Sequence, residues 1–131
     1  MSEEFKVEIV NPEKSFLSKD DVTEVVVPAF EGEIGILKDH ISIISFLKPG
    51  IIKIFSKSDE KKYFVEDGVV EFYENKLTIL SSNIKRFKEI TKDYISLVSE
   101  KTTNRLKEKN IDDKEKYILD YKMDILNNLN I

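Results

Sequence analysis

Glu31 and Glu33 flank Gly32, and two carboxylates this close have the makings of a general acid–base pair. Such chemistry also needs a nucleophile, a bound water or a metal within reach of both groups, and no neighbouring residue supplies one. His40 is the only histidine. With Asp39 beside it, it offers two ligands, fewer than the three protein ligands of a catalytic zinc site. A turn histidine bonded to backbone is the simpler reading. Cysteine is absent, which removes thiol catalysis, thiolate metal sites and disulfides. Gly32, Gly35, Gly50 and Gly68 are scattered, so no phosphate-cradling loop exists, and no G-x-S-x-G elbow occurs. Two basic groups remain. Lys85, Arg86 and Lys88 form one. Lys101, Arg105, Lys107 and Lys109 form the other, at the end of an expected helix, where cations complement the helix dipole or dock an acidic surface.

The elements that position these residues change character along the chain. Phe5 to Val10 alternates apolar and polar side chains, the period of a strand. Asn11-Pro12 turns the chain, Phe16-Leu17 starts a second strand, and Asp20-Asp21 is expected to break it. Val22 to Val27 is β-branched but for Glu24, with Pro28 expected to end the strand because proline cannot donate to a ladder. Further strands are expected at Glu33–Leu37, Ile41–Leu47, Ile51–Phe55, Tyr63–Glu66, Val69–Glu74 and Lys76–Ser81. A hairpin loop over 56–62 and turns at Pro49-Gly50, Asp67-Gly68 and Glu74-Asn75 separate them. Many short strands at close spacing predict an antiparallel β-sandwich or barrel.

Beyond Gly68 neither glycine nor proline recurs, and the pattern becomes helical. A helix is expected from Thr91, its N-cap, to Lys109, closed by Asn110 in a left-handed conformation. Asp112 is placed to cap a second helix reaching about Leu129, with Ile111 as its hydrophobic staple. Tyr117, Ile118, Tyr121, Ile125 and Leu129 share one face of that helix, and Leu119, Met123 and Leu126 lie roughly opposite. The second stripe meets either a partner subunit or the chain's own interior. The expectation is α+β: a sandwich over 1–86 and a two-helix hairpin over 87–131.

Bulk properties narrow the function classes. The net charge of −4 argues against non-specific nucleic-acid binding, which depends on phosphate neutralisation by Lys and Arg. At 40% hydrophobic and 35% charged residues, the chain has the composition of a globular domain rather than a disordered one. Met1-Ser2-Glu3-Glu4 is acidic and lacks the apolar core of a secretory signal. The apolar run Ile41 to Leu47 is too short to span a bilayer, so any membrane association runs through a partner.

One composite pattern is more specific. Val27-Pro28, Glu31-Gly32-Glu33, Gly35-Ile36 and His40 read V-P-x-x-E-G-E-x-G-I-x-x-x-H, followed by Leu47-Lys48-Pro49-Gly50. With the meander Phe64 to Phe72 and Leu77 to Leu80, in the same order, this resembles the epsilon subunit of F-type ATP synthases. The resemblance implies a non-catalytic rotor subunit that couples proton-driven rotation of a membrane ring to the catalytic head through the gamma subunit. It also implies a peripheral position on the cytoplasmic face of a bacterial membrane. Glu31, Gly32, Glu33 and His40 would face the c-subunit ring or gamma. The hairpin cations Lys101, Arg105, Lys107 and Lys109 would engage acidic parts of the alpha and beta subunits and brake ATP hydrolysis.

The sequence departs from the family in places. Asp67 and Phe30 replace a more usual glycine or small residue, and Ser42 replaces a proline. The hairpin is poor in Ala and Arg. The I/L-D-x-x-R-A motif associated with ATP binding lacks its arginine at both Ile111-Asp112 and Leu119-Asp120, so no cofactor is implied. Two other classes stand beside the resemblance: a free-standing β-sandwich adaptor, and a small hydrolase or lyase using the Glu31/Glu33 pair.

Overall fold

A computed structural model describes residues 3–13 and 15–129. The first two residues of the acidic N-terminus, Met1 and Ser2, and the last two of the expected hairpin, Asn130 and Ile131, lie outside the described residues, as does Lys14. The chain forms two compact units, residues 1–87 and 88–131.

Within the first unit, nine strands are described: β1 (Phe5–Val10), β2 (Ser15–Ala29), β3 (Gly32–Leu37), β4 (Ile43–Leu47), β5 (Gly50–Ser56), β6 (Glu60–Val65), β7 (Gly68–Tyr73), β8 (Lys76–Leu80) and β9 (Ile84–Arg86). The pairings resolve into two layers that share one strand. The first half of β2 pairs β1, which continues through β8 and β7 to β4. The second half of β2 pairs β3 on one edge and β5 on the other, and β5 continues through β6 to β9.

Asp20-Asp21 therefore does not break the strand. It lies where β2 passes from one layer to the other, beside register shifts at Phe5/Val7 and Val22/Glu24. Bulges of this kind let a strand bend while it stays hydrogen-bonded. Pro28 does not end β2 either, which runs on to Ala29. The sandwich is not wholly antiparallel, because β1 lies parallel to β8. No hairpin joins these two strands, so chain connectivity imposes no direction on the pair. The expected loop over 56–62 shrinks to 57–59, and the fourth strand begins at Ile43 rather than Ile41.

The interior comes from alternate residues of both layers, among them Val7, Ile9, Val25, Ile54, Phe72 and Ile79. Phe72 packs edge-on to Phe5 with centroids 5.5 Å apart. Two glycines are required by close approach. A Cβ on Gly50 would lie 2.7 Å from Pro28 Cβ, and one on Gly68 would lie 2.5 Å from the Leu80 carbonyl oxygen. Gly68 also has φ +153°, a conformation L-residues rarely adopt.

The second unit holds α1 (Lys92–Leu106) and α2 (Asp113–Asn127), preceded by a 3-10 turn over Phe87–Glu89. Both expected N-caps form: Thr91 Oγ1 accepts from Tyr94 N at 3.1 Å, and Asp112 Oδ1 from Glu115 N at 2.7 Å. The first helix ends earlier than expected. Its C-cap is Lys107 at φ −83°, and Asn110 is not left-handed. Ile111 has Lys116 at the position where a hydrophobic staple needs an apolar partner. On α2, Leu126 is buried, while Tyr117 is exposed. The stripe containing Leu126 is thus partly covered by the chain itself.

Candidate functional site

Strand β4 is apolar on both faces, Ile43-Ile44-Ser45-Phe46-Leu47. A strand covered on one side only would alternate. Leu47 is buried, but Ile44 is 72% exposed and Phe46 66% exposed. The register extends this exposed surface across the layer. Phe46 lies opposite Val69, Val69 opposite Leu80, and Leu80 opposite Val10. Phe30, on the β2–β3 turn, adds a ring 6.3 Å from that of Phe46 and is itself exposed. Between these residues and Pro12 and Ser82 runs an open groove of about 620 Å³. Soluble monomers seldom leave so continuous an apolar row in water unless it is a contact surface.

Phe30 and Glu31 are the two loop residues of the hairpin that closes at Ala29 and Gly32. The turn is tied to β4 by Phe30 N donating to Phe46 O at 3.1 Å, and Lys48 N donates to Pro28 O at 2.9 Å. Glu31 and Glu33 are both exposed. Among the described residues, no three His, Cys, Asp or Glu side chains cluster as metal ligands would. This end of the sandwich therefore offers two surface carboxylates next to an apolar groove.

His40 lies elsewhere. β3 runs for six residues from Gly32 to Leu37 before the turn that holds His40, and at about 3.4 Å per residue its two ends are roughly 17 Å apart. The His40 ring packs edge-on to Phe72 at 6.0 Å, and Nδ1 is 2.8 Å from the Ile41 carbonyl oxygen. The turn holding His40 is pinned by a reciprocal pair: Asp39 N donates to Asn75 Oδ1 at 2.7 Å, and Asn75 Nδ2 donates to Asp39 Oδ1 at 2.9 Å. Asp39, Glu74 and Asn75 all have positive φ, 67°, 47° and 58°. Two left-handed turns thus brace each other and hold Ile41 out in water at 76% exposure. The structure does not bring His40 together with Glu31 and Glu33; it sets them at opposite ends of one strand.

The basic residues also separate. Arg86 Nη2 donates to the Phe16 carbonyl at 3.1 Å, and its guanidinium stacks 4.2 Å from the Phe16 ring, so it serves the sandwich. Arg105 is likewise engaged within the hairpin. Its Nε and Nη2 donate to the two carboxylate oxygens of Glu115 at 2.6 and 2.7 Å. Its Nη1 reaches Asn110 Oδ1 at 3.1 Å and also bonds Glu108. Three acceptor residues, Glu108, Asn110 and Glu115, thus surround it at the turn. These contacts lower the Glu115 pKa and raise that of Arg105. Lys101, Lys107 and Lys109 remain exposed.

Sequence reasoning did not single out Ile44, Phe46 or Leu80, although the two-faced apolarity of β4 was a usable signal. It also did not pair Asp39 with Asn75, whose contact spans 36 positions.

Residues 4–87 match the family described as ATP synthase, Delta/Epsilon chain, beta-sandwich domain. Over 130 residues, covering 99% of this chain and all of the relative, the sequence is 66% identical to the ATP synthase epsilon chain of Pelagibacter ubique (strain HTCC1062). Two solved assemblies contain chains of the same fold. One, from the Euglena gracilis mitochondrial ATP synthase (OSCP/F1/c-ring), gives a TM-score of 0.73 at 15% identity, with 97% of this chain and 79% of that one covered. The other, from the central stalk and c-ring of the Tetrahymena thermophila mitochondrial enzyme, gives 0.67 at 18% identity, with 96% of each chain covered. A described sandwich with a two-helix hairpin, a family match across the sandwich and a relative two-thirds identical along its whole length lead to one assignment: the chain belongs to the ATP synthase epsilon chain family, whose members are accessory rather than catalytic subunits of a rotary complex.

Proposed function

We propose that the sandwich is a rotor clamp that binds the gamma subunit through the outer face of β4, β7, β8 and β1. The observation that carries this reading is the row Phe46–Val69–Leu80–Val10, with Phe46 and Leu80 exposed and the two valines half-buried, flanked by Phe30 and Ile44. An aromatic and aliphatic row left partly exposed along one end of a rigid sheet has the make-up of a contact surface. The Glu31–Gly32–Glu33 turn would face the c-subunit ring, and His40, at the far end of β3, would belong to the gamma side. Coupling rotation to ATP synthesis needs a body that does not yield under load, and a two-layer sandwich with a shared strand supplies one. The complex would place the chain peripherally on the cytoplasmic face of the membrane. No helix among the described residues is long and apolar enough to cross a bilayer.

The exposed Lys101, Lys107 and Lys109 support a second role, contact between the hairpin and acidic parts of the alpha and beta subunits that slows ATP hydrolysis. The test is ATP hydrolysis by a matching catalytic head containing gamma, with full-length chain and with a version ending at Phe87. Binding by both, with inhibition by the full chain alone, makes the hairpin a brake. Binding by both without inhibition leaves a coupling clamp only. Failure of either to bind gamma overturns the clamp and returns the free-standing adaptor.

A further inference from the structure

The turn between α1 and α2 is organised around one guanidinium. Arg105 sits in the last turn of α1, Glu108 and Asn110 in the connection, and Glu115 in the first turn of α2. Arg105 uses three nitrogens on these three partners and binds Glu115 through both carboxylate oxygens, the forked geometry that suits a guanidinium best. The charges are also placed well for each helix. A cation at the C-terminus of α1 and an anion at the N-terminus of α2 each complement their own helix dipole. Glu115 is held further by its backbone N–H on Asp112. Few side chains of either helix are fully buried. Of the two helices, only Val98, Thr102 and Leu126 are buried, and one of these is polar. Thr102 Oγ1 spends its hydrogen bond on its own helix, at Val98 O, 2.8 Å away.

We propose that Arg105 is a latch that keeps α1 and α2 folded against each other, and that breaking its fork with Glu115 is the step that lets the hairpin open. The fork and any docking of Arg105 on an outside carboxylate are mutually exclusive, because both would need the same N–H groups. A closed hairpin therefore occupies the donors of this cation, and an open one would free them beside Lys101, Lys107 and Lys109. The latch concerns only the hairpin and stands whether or not the sandwich binds gamma.

The chain contains no cysteine, so a spin-label pair can be introduced cleanly in the full-length protein. Asp93→Cys and Asn127→Cys, both exposed and far from the turn, report the separation of the helix ends. The expected result for Glu115→Gln is a new long-separation population with helix content by circular dichroism unchanged. Amide exchange across α1 and α2 should be about tenfold faster, with β1 to β8 unaffected. Arg105→Lys keeps the charge but loses the fork, and should fall between Glu115→Gln and the parent. A distance distribution unchanged in both variants overturns the latch. So does loss of helix content together with the separation, since the contact would then serve helix formation and not closure.

Discussion

Phe46→Ala separates binding from folding. The side chain is 66% exposed on the outer face of β4, so the folded chain gains little from it. Aromatic side chains bury about 150–250 Å² when fully covered. Two-thirds of about 200 Å² is roughly 130 Å² of surface available to a partner. At about 25 cal/mol per Å², its burial contributes up to about 3 kcal/mol, or roughly a hundredfold in Kd. The side-chain loss should change folding stability by no more than about 0.5 kcal/mol, as for other exposed positions. The assay is titration of gamma-containing catalytic head with labelled chain, alongside urea melts of the chain alone. Phe72→Ala is the control: that ring is buried between Phe5 and His40, and its loss should cost about 3–5 kcal/mol of folding. If Phe46→Ala binds within threefold of the parent (about 0.6 kcal/mol), or loses binding only because the melt has shifted, the row Phe46–Val69–Leu80–Val10 is not the gamma contact.

Other variants probe the fold and the hairpin. Gly68→Ala pushes a methyl against the Leu80 carbonyl at a φ alanine avoids, so a loss of about 2–4 kcal/mol is expected in a thermal melt. Asn75→Ala removes both bonds to Asp39 at a left-handed position, which should cost about 2 kcal/mol. Proton exchange at His40 and Ile41 should quicken with it, and unchanged exchange there would show that the brace is idle. Glu115 has its folded pKa lowered from 4.5, chiefly by its bond to Arg105, with desolvation and, less, the Asp112 charge opposing. Its contribution to the hairpin is therefore complete above pH 4.5 and is lost as pH falls through the lower folded value. Hairpin protection, taken as exchange relative to the intrinsic base-catalysed rate at each pH, should fall in the parent from pH 6 down to about pH 3 and change much less in Glu115→Gln.

Much of the sandwich was legible because strands announce themselves locally. The alternation of Phe5 to Val10, the turn at Asp67-Gly68 and the left-handed pair Glu74-Asn75 all mark their own places. What stayed hidden depended on distance along the chain. Asp20-Asp21 looks like a break because two carboxylates are poor strand formers, yet β1 on one side and β5 on the other carry the backbone through. Strand β9 is three residues long, too short for any period to show. Arg105 read as a surface cation because its carboxylate partner is ten residues away, across a turn whose length the sequence left open. A sharper reading was available there: an arginine closing one helix and an Asp-x-x-Glu cap opening the next, with a short connection between them, favours the fork. Glu31 and His40 are close in sequence, and the resemblance grouped them; the extended backbone of β3 is what drives them apart.

The passage of β2 through both layers has a mechanical meaning. Two sheets held together only by side-chain packing can slide over one another, since dispersion contacts resist shear weakly and re-form after a slip. Here a single covalent backbone runs from Ser15 in one sheet to Ala29 in the other. Sliding would have to bend that backbone and tear ladder bonds on β1, β3 and β5 together. A twisting force applied at the Phe30 end is thus carried by chain tension into the opposite sheet, and the block turns as one piece.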